Sequence, residues 1–320
     1  MGERYFITGA QGCIGSWIVK TLIERGDAPV VFDRSDDSRR LRAIMNTEDL
    51  AGVRFLMGDI TDRDAVLSAL DASEAQRVIH LAGLQVPTCK ADPVLGAQVN
   101  VVGTLNVFEA ARETEVKAVV YASSAAVYGF NDEDVALDET AHCEPSTHYG
   151  VFKLTNEGNA RVYFLDHGLS SAGLRPLTVY GVNRDTGLTS DPTKAMKAAV
   201  LGRPFHIRFS GATDFQYVAD TAAAFIACAD NPPQGAHVFN LHGETLTVDR
   251  IAHFINEESG ADLATYGGPP IPIAPAIDDS AIRRAIGPLP STPFKEGIRA
   301  TMKQFAELRD SGSLDTSDLS

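Results

Sequence analysis

Short apolar runs recur through the first part of the chain. RYFIT, PVVFD, VRFLMGD, RVIHLAG and KAVVYAS are rich in Val, Ile, Phe and Tyr, with little in/out alternation. That pattern predicts strands buried on both faces, as in a parallel sheet covered by helices. Between the runs, CIGSWIVKTLIERG, RDAVLSALDAS and PVLGAQVNVVGTLNVFEAARE carry apolar residues at helical spacing. Strand–helix alternation of this length predicts a doubly wound α/β sheet. After LSSAGLRPLTVYG the pattern loosens. DPTKAMKAAVLG and VADTAAAFIACAD read as helices, and PFHIRFS and AHVFNL as short strands. The run GGPPIPIAPA, 267–276, cannot be regular helix. A last helix around PFKEGIRATMKQFAELR precedes a small, acidic tail that is expected to fray.

Two features then point to chemistry. FITGAQGCIGSWIV places Gly9, Gly12 and Gly15 between a predicted strand and a predicted helix. Glycines there admit close approach of a ligand, and the free amides of a helix start, Cys13 and Ile14 among them, favour a pyrophosphate. The G-x-x-G-x-x-G spacing alone is weak, since any tight strand–helix turn uses glycine. Asp33 strengthens it, eighteen residues past Gly15 at the end of the next strand. A carboxylate there accepts hydrogen bonds from a ribose diol and repels a 2′-phosphate, which favours NAD over NADP, with Arg34 arguing the other way. Asp59, ending the third strand, is placed for the adenine end. The second feature is HYGVFKL, where Tyr149 and Lys153 lie one helical turn apart.

With these motifs in hand the chain resembles the extended short-chain dehydrogenase/reductases, the NAD-dependent epimerase/dehydratase family. The resemblance rests on TGAQGCIG (8–15), Asp33, GDI (58–60), HLAG (80–83), NVVGTLNVFEAAR (100–112), SSAAVYG (123–129), YGVFK (149–153) and LRPLTVYG (174–181). It implies a Rossmann-type doubly wound parallel sheet with a smaller C-terminal α/β substrate lobe. The expected division is 1–178 for the NAD-binding domain with its Ser/Tyr/Lys set. Residues 179–308 then form mainly the substrate lobe, with some segments returning to the Rossmann core, and 309–320 a flexible tail. The resemblance further implies that Ser124, Tyr149 and Lys153 are catalytic. Ile60, Leu81, Ala82, Gly83, Asn100, Pro176 and Val179 join the glycine loop and the two aspartates in holding NAD. Gln85, Ser123, His148 and Arg208, with Ser124, are the expected substrate contacts. An ammonium ~5 Å from the phenol, at an effective dielectric of ~20, favours the phenolate by roughly 3 kcal/mol. On that account Lys153 tunes Tyr149 as acid/base near neutral pH.

One departure narrows the substrate. Nucleotide-sugar members of the family usually carry an arginine before an acidic–aromatic pair, where it meets the substrate pyrophosphate. Here Thr213 precedes Asp214 and Phe215. The first expectation is therefore an NAD-dependent dehydrogenase acting on a secondary alcohol of a small sugar, polyol or sugar acid. The alternative is a sugar or nucleotide-sugar epimerase/dehydratase with tightly bound, recycled NAD. A non-enzymatic dinucleotide sensor ranks below both, because Tyr149 and Lys153 are present.

Composition trims the field. Lys and Arg total 28 against 42 Asp and Glu, a formal charge of −14. That balance repels nucleic acid and anionic membrane surfaces. No apolar run approaches the ~20 residues of a membrane span, and MGERYFITGA enters a strand without a leader-like segment. Cysteines 13, 89, 143 and 228 lie far apart and read as free thiols, so a cytoplasmic setting is expected. The eight histidines show no metal-ligand spacing, so no metal is expected. His80 reads as a core residue. By the family resemblance, a homodimer through residues 93–112 and 147–167 is expected.

Overall fold

The computed structural model describes residues 2–130 and 136–319. Seven strands form one parallel sheet: β1 (Arg4–Thr8), β2 (Ala28–Asp33), β3 (Arg54–Met57), β4 (Arg77–His80), β5 (Ala118–Ala122), β6 (Ser170–Arg175) and β10 (Ala236–Asn240). Their spatial order is β10-β6-β5-β4-β1-β2-β3. The order reverses beside β1, so a crevice opens at the carboxyl ends of β1 and β4, the usual ligand position in such sheets. β7 (Thr178–Tyr180), β9 (Ala212–Tyr217) and β11 (Glu244–Thr247) make a second small sheet, and β8 (Phe205–Ile207) pairs with β12 (Ala264–Tyr266).

Alternation along β1 divides the core. Tyr5 and Ile7 pack with Ile18, Val31 and Ile79 on one face, while Phe6 joins Phe32, Val78, Phe108 and Tyr121 on the other. The first core continues into the smaller lobe through Phe215, Phe225 and Phe294. The helix Val218–Asp230 is hydrophobic on the side facing the helix Cys13–Glu24, so the later chain returns to cover the sheet.

The predicted strands and helices are present, with instructive differences. β3 is not buried on both faces: Phe55 and Met57 are exposed because β3 is the sheet's edge. The long helix read over 93–113 is broken by a π-type turn at Gln98–Val102. The tail expected to fray is tied down. Lys197 donates to the Asp318 carboxylate at 2.7 Å and to the Asp315 carbonyl at 3.0 Å, and Arg39 pairs with the Asp315 side chain. Among the described residues no helix is long and apolar enough to cross a membrane, and no cluster of three metal-ligating side chains exists.

Candidate active site

The turn from β1 into the helix Cys13–Glu24 is shaped by contact with β4. Gly9 has φ +67°, and a Cβ there would lie 2.6 Å from the Ala82 backbone nitrogen. At Gly15 a Cβ would lie 2.6 Å from the Ala10 Cα. Only glycine fits either position, which brings the helix start flush against the strand ends. No acidic residue occupies the first turn, so its amides face the crevice unopposed. Asp33 ends β2 at the rim, its carboxylate receiving weak 3.4 Å bonds from the Gln11 and Ser35 amides. Asp59 accepts from the Thr61 amide and hydroxyl, which holds its carboxyl below the usual range.

These residues line one cleft of about 490 Å³. Gly9, Gly12, Cys13, Ile14 and Gly15 form its floor with Asp33, Asp59 and Ile60 at one end. Leu81, Ala82, Gly83 and Gln85 follow along its length, and Ser123, Ser124, Tyr149, Lys153, Pro176 and Val179 close the other end. An unopposed helix start, a cradle that a β-carbon would fill and a carboxylate at the second strand's end together fit an adenine dinucleotide.

Three expected contacts lie elsewhere. Asn100 does not line the cleft; from the π-type turn it accepts from the Leu84 amide at 2.7 Å and donates to the Leu84 carbonyl at 3.0 Å, bracing the loop behind Gly83. A π-type turn re-aims one side chain out of an otherwise regular helix, as it does here. His148 is exposed and stacked on Phe152. Arg208 is also turned outward, its guanidinium held by the buried Asp191 at 2.7 Å. Ser123 edges the cleft with its hydroxyl committed to Glu157 at 2.5 Å. His80 is a core residue, bonded to Thr8 and Thr104, and burial pushes it down to about 3.

The helix His148–His167 is capped by Thr147, whose hydroxyl accepts from the Gly150 amide. Its first two turns carry Tyr149 and Lys153 into the cleft. The Lys153 Nζ lies 5.6 Å from the Tyr149 ring centroid and donates to the Ala122 carbonyl at 2.7 Å. Tyr149 is partly buried at the cleft wall. Burial raises the phenol's pKa; the Ser124 hydrogen bond and the Arg184 charge act against it. Burial also lowers the Lys153 ammonium to about 8. The expected dominance of Lys153 over Tyr149 is therefore corrected: desolvation is the largest influence on each group.

Side chains that the motifs did not single out complete the cleft. Arg184, Leu188 and Thr189 come from the loop after β7, and Ile273 from the Pro-rich connector. Arg40 reaches in from the segment after β2, donating to the Gln11 carbonyl while paired with Asp185 at 2.8 Å. Their one sequence signal is position, in loops at the carboxyl ends of strands.

A family model described as "NAD dependent epimerase/dehydratase family" matches residues 5–241. The chain belongs to this family. As an epimerase/dehydratase-family member it takes NAD as cofactor, which agrees with the donor set of the cleft. The UDP-glucose 4-epimerase of Mycolicibacterium smegmatis is 29% identical over 94% of this chain and 98% of its own. The UDP-glucose 4-epimerase of Thermus thermophilus, solved with NAD, superposes with a TM-score of 0.81 at 28% identity, covering 94% of this chain and 98% of that one. A UDP-N-acetylglucosamine 4-epimerase from Methanobrevibacter ruminantium, solved with UDP-N-acetylmuramic acid, gives 0.84 at 26% identity, covering 96% and 99%. The family is thus shared along the length of the chain, and the epimerase alternative fits these relatives better than a polyol dehydrogenase.

Proposed function

We propose that this chain is an NAD-dependent carbohydrate epimerase that oxidises a secondary alcohol and re-reduces the ketone without releasing the cofactor. The observation that carries the reading is the meeting of the Tyr149 and Ser124 hydroxyls in the cleft, with Lys153 anchored behind them. NAD, when bound, supplies the two-electron acceptor beside the Pro176–Val179 strand end. Tyr149 takes the proton of the substrate hydroxyl and returns it in the reverse step. Ser124 donates a hydrogen bond to the same oxygen, stabilising the charge that develops there. Lys153, fixed on the Ala122 carbonyl, places its ammonium beside the base. Its Nζ reaches into the cleft, where it can also hold a ribose hydroxyl.

A second reading, net dehydrogenation of a small sugar, polyol or sugar acid, is favoured by one feature. Thr213 is fully buried and bonded to Thr178 at 3.0 Å, so that position offers a substrate no charge. Denaturing release of cofactor from purified protein, followed by incubation with sugars and UDP-sugars, separates the two. Retained NAD and stereoisomer interconversion without net change at the nicotinamide absorbance support the epimerase. Stoichiometric nicotinamide reduction assigns the dehydrogenase instead. Absence of both retained and added-NAD turnover overturns the enzymatic reading.

Two copies pair, on this reading, through the segments 93–112 and 147–167. Val94, Val102, Val162 and Leu165 stand exposed along those helices, an apolar display that solvent does not favour. The four cysteines, far apart and free, support a cytoplasmic setting.

A further inference from the structure

We propose that Arg184 is the receptor for a single anionic group on the substrate, so that the enzyme acts on a small carbohydrate bearing one carboxylate or phosphate rather than on a nucleoside diphosphate sugar. This rests on the redox reading above and adds the substrate's class.

Arg184 lies three residues past Gly181, in the loop at the carboxyl end of β7, and its side chain lines the cleft. Its charge acts on two groups at once, the Tyr149 phenol and the Cys13 thiol of the helix start. The guanidinium therefore stands between the reacting end of the cleft and the phosphate-binding turn. Among the described residues its hydrogen-bond partner is the Thr189 hydroxyl, at 3.0 Å from Nη2. Nε is buried with no hydrogen-bond partner, and no carboxylate lies within ion-pair distance among the described residues. Guanidinium has five N–H donors, and leaving one buried and unmade is costly unless a ligand completes it.

The surroundings make this cation unusual. Arg175 is paired with Glu157, Arg208 with Asp191 and Arg283 with Asp279. Even Asp185, the next residue along, turns to Arg40 and leaves Arg184 unneutralised. Gly187 shows that the space beside it is designed for close approach. With φ +103°, a β-carbon there would run into the Gln85 side-chain amide oxygen and stand 3.1 Å from the Arg184 Nη2. The Gln85 amide oxygen and the Arg184 guanidinium thus border one spot; the planar cation suits a carboxylate or phosphate oxygen pair, and the amide oxygen suits a substrate hydroxyl beside it.

The remaining cleft cations are otherwise placed. Lys153 is engaged on Ala122, Arg40 is paired, and Arg34 stands at the Asp33 end. Across the substrate end, Thr213 is neutral and tied to Thr178. At that end, among the described residues, one uncommitted guanidinium fits one anionic group; a diphosphate would bring a second charge with no further cation there to meet it.

The test uses NAD-loaded wild type, R184Q and R184K in thermal-shift titrations. The probes are four- to six-carbon aldonates and uronates, the matching uncharged polyols and sugars, the matching sugar monophosphates, and UDP-glucose. The expected result is stabilisation by an acid or a monophosphate at least about 10-fold more potent than its uncharged counterpart. R184Q should weaken that ligand by about 10- to 100-fold and R184K by less, with NAD retention and the ligand-free melting temperature unchanged. Whether the acid or the monophosphate responds identifies the group. The proposal is overturned if no charged probe outperforms its neutral partner, if R184Q keeps the discrimination, if UDP-glucose gives the largest shift, or if R184Q releases NAD, which would assign the charge to the cofactor. A wild type that turns over a neutral sugar through Tyr149 sinks this inference and leaves the redox reading standing. A wild type that neither retains nor uses NAD sinks the reading itself.

Discussion

The two walls of the cleft are built by different means. Along the cofactor wall, Gly9 and Gly15 are held against Ala82 and Ala10 by backbone contact alone, and the ligand-facing groups are main-chain amides. Along the substrate wall the ligand-facing groups are side chains, Arg184, Leu188, Thr189 and Ile273, delivered by loops from two distant stretches of chain. A backbone wall fits one geometry and tolerates little change. A side-chain wall can be re-specified one residue at a time while the chemistry beside it stays put. That contrast explains why the cofactor can be assigned through family membership while the substrate is a matter for the particular loop after β7.

Tyr149→Phe is the sharpest way to break the comparison, because the chemistry belongs to neither wall. The ring still packs, so retained NAD should match wild type while kcat falls by about 10²- to 10⁴-fold. Cofactor quantitation after denaturation and initial-rate assays read the two quantities separately. Equal rates in the variant would mean that the phenol carries no proton.

A smaller but structural effect tests what lies beneath both walls. Arg175 ends β6 and meets Glu157, on the same helix as Tyr149 and Lys153, through bonds of 2.8 and 2.7 Å, with both side chains almost fully buried. Arg175 also donates to the Tyr128 hydroxyl, and Ser123 donates to Glu157. Removing one partner strands a charge in a dry interior, at a cost of about 3–5 kcal/mol. Glu157→Ala should therefore lower the denaturation midpoint well beyond a surface change, as chemical unfolding would show. Arg175→Met combined with Glu157→Met should recover part of that loss, since no charge is then left unpaired. A double variant as unstable as the single one would show that the hydrogen-bonded network, and not the stranded charge, sets the cost.

How much of this was legible beforehand divides along the same line. β1, the glycine turn and Asp33 are readable because each is dictated within a few residues by burial, backbone freedom or strand ending. The Tyr149–Lys153 pair is readable because helical spacing is local. The exposure of β3 was hidden, since being an edge strand depends on which strands neighbour it. Arg184 was hidden in a six-residue polar stretch, VNRDTG, where nothing local tells a guanidinium that is paired from one that is not. Its neighbour Asp185 looks like an obvious partner in sequence and is claimed by Arg40, 145 residues away. The raised phenol of Tyr149 was missed for a related reason: spacing reports the distance to a charge but not how much water the fold removes from both groups.

A charge pair also ties β9 to the chain after β10, which makes that side of the molecule pH-sensitive in a way the glycine turn is not. Asp214 on β9 is fully buried; one oxygen accepts from the Gln216 amide group at 3.0 Å and the Gly243 amide at 2.9 Å, and the other faces the His242 Nδ1. The hydrogen bond to Asp214 raises the His242 pKa above its usual value, against the opposing effect of burial. A group whose folded pKa lies above its unfolded one stabilises the fold fully below about pH 6.5 and loses that contribution as pH rises through the folded value. His242→Gln should therefore open a gap in melting temperature that is widest near pH 5.5–6 and narrows toward pH 9. The ring is more than a third exposed, so the change is modest, and a residual gap at high pH reports only the contact that Asp214 has lost. Melting curves of both proteins across that range decide the point, and a gap that stays level or grows with pH would show that His242 carries no stabilising charge.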